Sequence, residues 1–230
     1  LGVALTGCLH LWAGSWQIDG DITADGQPVV QGEPLSNAGL IMEHPYSQVT
    51  GMKRTVRGEL AIPLESRGVP RREMRDRISG TATAFGIDHL LGRDITTLSG
   101  GEMQRLVIAS MMISRPRFIY CDHPFTDLDS EGCRTVFALL GAHAADTGAT
   151  VCFNGEDHLL PDGGYNLVFN TSPEKSGDSA ASSHSLQTPF PGDVILSVED
   201  VSLGYGPNTL INGLSFEVHS GEIVFLAGQN

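Results

Sequence analysis

A polar turn with two adjacent glycines precedes a long apolar stretch, and this pair of features constrains the fold more than any other. The turn is Leu98-Ser99-Gly100-Gly101-Glu102, and apolar residues then recur at helical spacing to residue 114. Serine in this position predicts an N-cap, and paired glycines let an anion approach the backbone amides closely. Because the positive end of the helix dipole lies there as well, the turn predicts a phosphate-type site, although the same letters also fit an ordinary helix start.

Asp122, seventeen residues after Arg105, ends a second constraining segment, because the apolar run Phe118-Ile119-Tyr120-Cys121 leads directly into this acid. Similar short apolar runs, each bounded by polar or glycine residues, lie at 39–42 and 149–153. They predict buried strands of a mostly parallel sheet, with helical patterns at 70–85 and 99–114 between them. Parallel sheets bind ligands at the carboxyl ends of their strands, so Asp122 stands where such a sheet would bind a ligand.

The two segments together resemble the signature and Walker B motifs of the ABC ATPase family, with Asp127-Leu128-Asp129 resembling its D-loop. The resemblance implies an α/β fold, a P-loop NTPase-like ABC cassette with a mostly parallel core sheet, an antiparallel β-subdomain and a helical signature subdomain. It implies ATP and Mg²⁺ as cofactors, with Asp122 as the metal-binding residue. It further implies that five residues contact the γ-phosphate of an ATP held by the opposite cassette, namely Leu98, Ser99, Gly100, Gly101 and Glu102.

Segments near both chain ends resemble other parts of the same cassette. Tyr205 follows an alternating strand pattern and takes the place of the aromatic residue that stacks on adenine. Gly228-Gln229-Asn230 resembles the first residues of a Walker A loop, and residues 1–7 resemble the helix that follows such a loop. We therefore expect a cassette that is incomplete at the P-loop, within a fragment of a tandem two-cassette chain.

The expected organisation has three parts. Residues 1–170 would be a first cassette that lacks its N-terminal strands and Walker A, and the Ser- and Pro-rich residues 171–192 a flexible linker. Residues 193–230 would be the N-terminal strands of a second cassette, ending inside Walker A. We expect this last part to dock back onto residues 1–170, with residues 224–227 beside the Walker B strand.

Three positions depart from the residues that the family uses for hydrolysis. His123 stands where a glutamate polarises the attacking water, and Glu43 stands at the place of the Q-loop glutamine. Glu156 falls near the position of the switch histidine, where an ionised carboxylate cannot donate to a phosphate. Each change alone is compatible with neutral drift, but the three together indicate a degenerate site in the first cassette.

The segment Glu43 to Gln48 also resembles the Q-loop of energy-coupling-factor ATPases, in which Pro45 and Gln48 match. The resemblance implies an ATP-binding subunit of an ABC-type membrane transporter, which couples ATP binding and hydrolysis to substrate uptake. Its expected partners are transmembrane transporter subunits, docked on the helical subdomain, and a second ABC cassette in the same or another chain. Its expected location is the cytoplasmic face of the cell membrane, as a peripheral protein.

Charge and hydrophobicity exclude several other classes of function. The net charge of -13 and a pI of about 4.8 argue against a nucleic-acid partner, because such proteins need a basic face to neutralise phosphates. No run approaches the roughly 20 apolar residues of a membrane span, so any membrane role must come through a partner. Two alternatives stay open: a non-catalytic regulatory pseudo-cassette, and a soluble tandem ABC protein that is not linked to transport.

Overall fold

The computed structural model describes residues 1–9, 14–155, 166–170 and 192–227. The described helices are α1 (Gly2–Leu5), α2 (Val56–Ser66), α3 (Arg71–Ala84), α4 (Gly100–Met112) and α5 (Ser130–Thr147). The described strands are β1 (Trp16–Ala24), β2 (Gln27–Pro28), β3 (Ala38–Ile41), β4 (Phe118–Asp122), β5 (Thr150–Asn154), β6 (Asn166–Asn170), β7 (Val194–Tyr205), β8 (Asn208–His219) and β9 (Ile223–Ala227). None of the described helices is both long enough and apolar enough to cross a membrane.

Five strands form the parallel sheet that the apolar runs predict, in the order β3-β4-β5-β9-β6. Strand β4 shows why these runs are uniformly apolar, since its successive side chains enter two different cores. Ile119 and Cys121 lie in the core shared with the helices, whereas Phe118 and Tyr120 lie in the core shared with the antiparallel sheet. The prediction of a mostly parallel core sheet is confirmed.

Four strands form the antiparallel sheet, in the order β2-β1-β7-β8. The β1–β2 hairpin turns at Asp25 and Gly26, whose φ angles of 48° and 71° suit the tight turn that Asp-Gly favours. Strands β7 and β8 join through Gly206, which has φ of 56°, and Pro207. Buried residues of β7 pack against the parallel sheet. The antiparallel sheet therefore covers one face of the parallel sheet.

Residues 194–227 complete both sheets, because β7 pairs with β1 and β9 enters the parallel sheet. The predicted docking onto the earlier residues is therefore confirmed. The predicted neighbour is wrong, because β9 pairs with β5 and β6 and not with β4, the strand that ends at Asp122. The reason is that β3 and β5 already occupy both edges of β4.

Helices α2, α3 and α4 form a helical layer, and their buried side chains contribute to the core that contains Ile119 and Cys121 of β4. Thr55 caps α2 by accepting a hydrogen bond from the Gly58 amide at 3.2 Å, and Leu60 and Leu64 of this helix are fully buried. The 70–85 pattern appears as α3, with Ile78 buried at 4% exposure against the same cluster. This helical layer holds the turn at residues 98–102.

Candidate functional site

The turn at residues 98–102 is an N-capped helix start, as the sequence predicts. Ser99 Oγ accepts from the Glu102 amide at 3.4 Å, and the Glu102 carboxylate accepts from the Ser99 amide at 2.7 Å, which completes a capping box. Leu98 is buried in the helical core and anchors the turn. Helix geometry leaves the first amides of α4 without intrahelical acceptors, so this end of the helix can bind an anion.

Glu102 is held as a carboxylate that faces its own N-cap. Arg93 donates from one guanidinium nitrogen to both Glu102 oxygens, at 3.2 Å and 3.4 Å. The hydrogen bond from the Ser99 amide and the nearby Arg93 guanidinium lower the pKa of the Glu102 carboxyl. The fifth residue of the turn therefore stays ionised near neutral pH.

The loop after β4 packs directly on the start of α4. A Cβ atom on Gly100 would lie 3.6 Å from the carboxyl carbon of Asp127, so this acid borders the glycine pair. Gln104 is 1% exposed, and its side-chain nitrogen donates to the Pro124 carbonyl at 3.0 Å. The turn and the loop thus form one packed unit within the chain.

Asp129, the second acid of the D-loop segment, has a different partner. Its carboxylate accepts from the Gly132 amide at 2.8 Å and caps α5. Asp127 is exposed beside the glycine pair, whereas Asp129 is engaged in starting a helix. The two acids of this segment are therefore placed for different tasks.

Asp122 lies at the carboxyl end of β4 with its side chain 45% exposed, so it is accessible at the sheet edge. A ring nitrogen of His123 lies 3.2 Å from the Asp122 carboxylate. His123 has φ of 47°, a left-handed conformation that is uncommon for residues other than glycine and that clusters at functional sites. Its amide donates to the Asn154 carbonyl at 3.2 Å, which ties the turn to the end of β5.

The same sheet edge offers oxygen atoms that suit Mg²⁺. Asn154 is the register partner of Asp122, and its buried side-chain oxygen has no hydrogen-bond partner among the described residues. Carboxylate and amide oxygens are ligands for hard cations. Across the described ranges, no three His, Cys, Asp or Glu side chains group closely enough to hold a metal ion by themselves, so nucleotide and water oxygens would have to complete such a site.

Glu43 leaves the neighbouring strand at the same edge. Strand β3 pairs with β4 so that Ile41 faces Cys121, and Glu43 follows two residues later with an exposed side chain. Gln48 holds the loop that follows β3 against the end of that strand. Its side-chain amide accepts from the Met42 amide and donates to the Leu40 carbonyl, both at 2.7 Å.

Tyr205 lies at the tip of the antiparallel sheet and is 45% exposed. Its ring contacts Trp16 edge to face, with centroids 5.0 Å apart. Among the described residues, Tyr205 contacts Trp16 and Asp122 contacts His123, so these two predicted site residues are not joined by a direct contact. The predicted site residues Glu156, Gly228, Gln229 and Asn230 lie outside the described residues.

Sequence reasoning missed four residues at these sites, namely Arg93, Gln104, Asn154 and Trp16. Arg93 and Gln104 stand within a few residues of the turn, and that proximity was the available signal. Asn154 ends β5, the strand next to β4, so its place at the carboxyl end of a parallel strand was the signal that could have identified it. Nothing in the local sequence indicates that Trp16 meets Tyr205.

Comparisons with known proteins agree with this arrangement. The family model described as ABC transporter matches residues 6–126. The chain is 36% identical over 139 residues to the energy-coupling factor transporter ATP-binding protein EcfA1 of Thermotoga maritima, which covers 60% of this chain and 53% of that protein. A provisionally named ABC transporter ATP-binding protein of Methanosarcina acetivorans is 28% identical over 256 aligned residues, which cover 100% of this chain and 48% of that protein.

The chain thus spans about half the length of these two relatives. A solved ATP-binding cassette, described as a dimeric post-hydrolysis state bound to ADP and Pi, is 18% identical, and the match covers 61% of this chain and 65% of that chain. Its TM-score of 0.53 shows a shared fold. With the family model matching more than half of its 230 residues and a capped Ser-Gly-Gly turn packed on the loop after β4, the chain belongs to the ABC transporter family.

Proposed function

We propose that this chain is part of an ATP-binding subunit that couples ATP binding and hydrolysis to substrate uptake by a membrane transporter. The observation that carries the proposal is the capped start of α4, where Ser99, Gly100 and Gly101 pack against Asp127. This arrangement presents backbone amides and a helix dipole to an anion at the protein surface. The signature turn therefore binds the γ-phosphate of an ATP that is carried by a second cassette.

The sheet edge serves the nucleotide of this cassette. Asp122 and Asn154 would hold Mg²⁺, which neutralises phosphate charge when it is bound. Tyr205 stands in the strands assigned below to a second cassette, so it would stack on the adenine of the ATP bound there. Glu43, which leaves the adjacent strand, adds a negative charge at the same edge and disfavours close approach of the phosphates.

The substituted positions support an asymmetric pair of sites. His123 is engaged with Asp122, and its geometry and charge differ from those of the glutamate that polarises water. Glu43 and Glu156 remove two further polar groups that the family uses around the γ-phosphate. The first cassette would then hydrolyse ATP slowly or not at all, while its intact signature turn serves ATP on the second cassette.

The organisation of the longer protein is part of the proposal. Residues 1–170 would be the first cassette and residues 193–230 the opening strands of a second one. In the full-length protein the first cassette's own opening strands would take the places that β7 and β9 occupy here, because strands of one cassette fit the sheets of another with the same fold. Val224 is the register partner of Cys152, so a Val224→Cys variant tests it. Oxidative cross-linking of these two cysteines in the full-length protein would contradict the assignment.

A groove on the helical layer is the proposed docking site for transmembrane subunits. It lies between the segment after β3 and helices α2 and α4, and it is lined mainly by apolar side chains, including Val49, Ile62, Pro63, Leu106 and Met111. Tyr46 and Met52, at 60% and 75% exposure, flank this segment in the chain. The protein would therefore lie at the cytoplasmic face of the cell membrane as a peripheral subunit.

The test uses the full-length protein with its membrane partner. We expect ATP turnover, and we expect Ser99→Arg to abolish it because a bulky cation fills the signature turn. Ser66→Arg, at the exposed end of α2, is the matched control and should leave turnover unchanged. A full-length protein that neither binds nor hydrolyses ATP, or that tolerates Ser99→Arg, would overturn the proposal. For the asymmetry, replacing the Walker B glutamate of the second cassette should abolish turnover, and surviving turnover would contradict it.

A second candidate function is a regulatory pseudo-cassette that binds ATP without hydrolysing it. The observation in its favour is His123, whose ring faces Asp122 at the position of the water-polarising group. The same assay separates the two functions, since the full-length pair hydrolyses ATP in the first case and only binds it in the second.

A further inference from the structure

The signature turn carries an acidic residue at the place where an anion has to dock. Glu102 is the third residue of α4, and its side chain returns to the N-cap Ser99. An uncompensated carboxylate here would repel a triphosphate. Asp127 borders the same glycine pair, so the turn has two acids beside it.

Arg93 is positioned to compensate the charge of Glu102. Its Nε donates to the Thr97 hydroxyl at 3.0 Å, which fixes the plane of the guanidinium. In that orientation one terminal nitrogen lies 3.2 Å and 3.4 Å from the two Glu102 oxygens. The side chains are 43% and 18% exposed, so the pair stands at the surface where a ligand would arrive.

The donors around Glu102 also fix its direction. One carboxylate oxygen accepts from the Ser99 amide at 2.7 Å and lies 3.0 Å from the Ser99 hydroxyl. Arg93 reaches both oxygens from the other side. The carboxylate therefore has a donor on each oxygen and is turned toward residues 93–99, which leaves the amides of Gly100 and Gly101 to an external anion.

We propose that Arg93 is a positioning residue that cancels the charge of Glu102 and turns its carboxylate toward the N-cap, so that this acidic signature turn can accept a triphosphate. The inference rests on the proposed function, because it assigns the triphosphate to the turn. It deepens that function by explaining how a turn with glutamate in its fifth place works. Arg105 adds a second positive charge, and of these two arginines Arg93 is the one that donates hydrogen bonds to the carboxylate.

The test compares ATP turnover of four full-length proteins: the unaltered protein, Arg93→Gln, Glu102→Gln and the double variant. Arg93→Gln leaves the Glu102 charge uncompensated, so we expect the KM for ATP to rise about tenfold at low ionic strength. Glu102→Gln removes the repelling charge and leaves the positive charge of Arg93 in place, so the KM for ATP should fall at low ionic strength. The double variant should return to the unaltered value, because the repelling charge is gone although Arg93 is absent.

The salt dependence of the KM for ATP distinguishes charge compensation from a purely structural role of Arg93, because a structural defect would persist at high salt. Near 1 M salt the Debye length is about 3 Å, so the defect of Arg93→Gln should shrink toward the unaltered protein. Arg54→Gln is the matched control, because it breaks another arginine–carboxylate pair, with Asp94, in the same subdomain. It should raise KM by no more than about twofold.

Arg93→Lys provides a second measurement that does not depend on Arg93→Gln being well folded. It keeps the positive charge, so KM should stay within about twofold, and a tenfold rise would contradict the proposal. The proposal is also overturned if Arg93→Gln behaves like the unaltered protein, or if the double variant stays as impaired as Arg93→Gln. An unaltered protein that shows no ATP turnover or binding would instead overturn the proposed function.

Discussion

The carbonyl oxygen of Asp127 lies 3.0 Å from the position that a Cβ atom on Gly101 would occupy. The signature turn and the loop after β4 approach each other so closely that a side chain on Gly101 would force the Asp127 carbonyl to shift. Gln104 ties the same two segments together through Pro124, one turn further along α4. Two separate contacts therefore join the turn to the loop that carries His123.

The first prediction compares alanine at the two glycines. Gly101→Ala forces the added methyl against a backbone carbonyl, whereas Gly100→Ala places it in ordinary contact at 3.6 Å. Both gain the same helix propensity, so the difference isolates the close approach. We expect Gly101→Ala to be less stable than Gly100→Ala by about 1–2 kcal/mol in urea unfolding. Equal stabilities would contradict the packing described here.

The second prediction concerns Glu59, which is 3% exposed on α2. Its two oxygens accept from the amide and the hydroxyl of Thr50, at 2.6 Å and 3.0 Å, and so fix the segment after β3 to the helical layer. Glu59→Ala removes both acceptors and should lower the free energy of unfolding by about 2–3 kcal/mol. Urea titration of the purified chain measures it.

Glu65→Ala is the control for that measurement. Glu65 pairs with Lys53 at 3.5 Å, but both side chains are close to half exposed. Exposed ion pairs contribute little, so the change in unfolding free energy should stay below about 0.5 kcal/mol. A similar loss in both variants would show that Glu59 is not a specific anchor.

Local patterns predicted the elements whose signals are contained within one segment. The 70–85 and 99–114 patterns became α3 and α4, because apolar periodicity and an N-cap are local features. Strand β1 was not predicted, because Gly20 with φ of 93° and its flanking acids interrupt the alternation, and the register shifts there against β7. This strand depends on a partner almost 180 residues later in the chain.

The candidate site also divides into features that are local in sequence and features that depend on long-range contacts. The capped turn at residues 98–102 and the position of Asp122 at a strand end could be predicted from sequence because each lies within one contiguous segment. The contacts that position them are long-range, such as that between Gln104 and Pro124 or between Trp16 and Tyr205. No residue type by itself encodes such pairs, since they arise only when the sheets and helices have packed.

The third prediction concerns the four cysteines, all of which are free thiols. Burial raises the pKa of the Cys121 and Cys152 thiols, and it also raises that of Cys133, so these side chains are both inaccessible and protonated. Cys8 is half-buried. A thiol reagent should therefore modify one cysteine quickly in the native protein and four in urea. In a Cys8→Ser variant the fast reaction should vanish, and fast labelling of Cys133 would contradict its placement.

The last prediction uses the pKa of Asp94, which caps the turn at residues 95–97. The hydrogen bond from Arg54, together with those from Thr96, lowers the pKa of the Asp94 carboxyl from 3.8 to about 2. Because the folded pKa lies below the unfolded one, the stabilisation is fully present above pH 3.8 and is lost as the pH falls toward 2. An NMR titration of the carboxyl carbon should show this low pKa, and Arg54→Gln should raise it toward the ordinary value. Arg117→Gln, which breaks an ion pair with Asp25, should leave it unchanged. A titration of Asp94 near 3.8 in the unaltered protein would contradict the pairing, because only an ionised carboxylate gains from the Arg54 guanidinium.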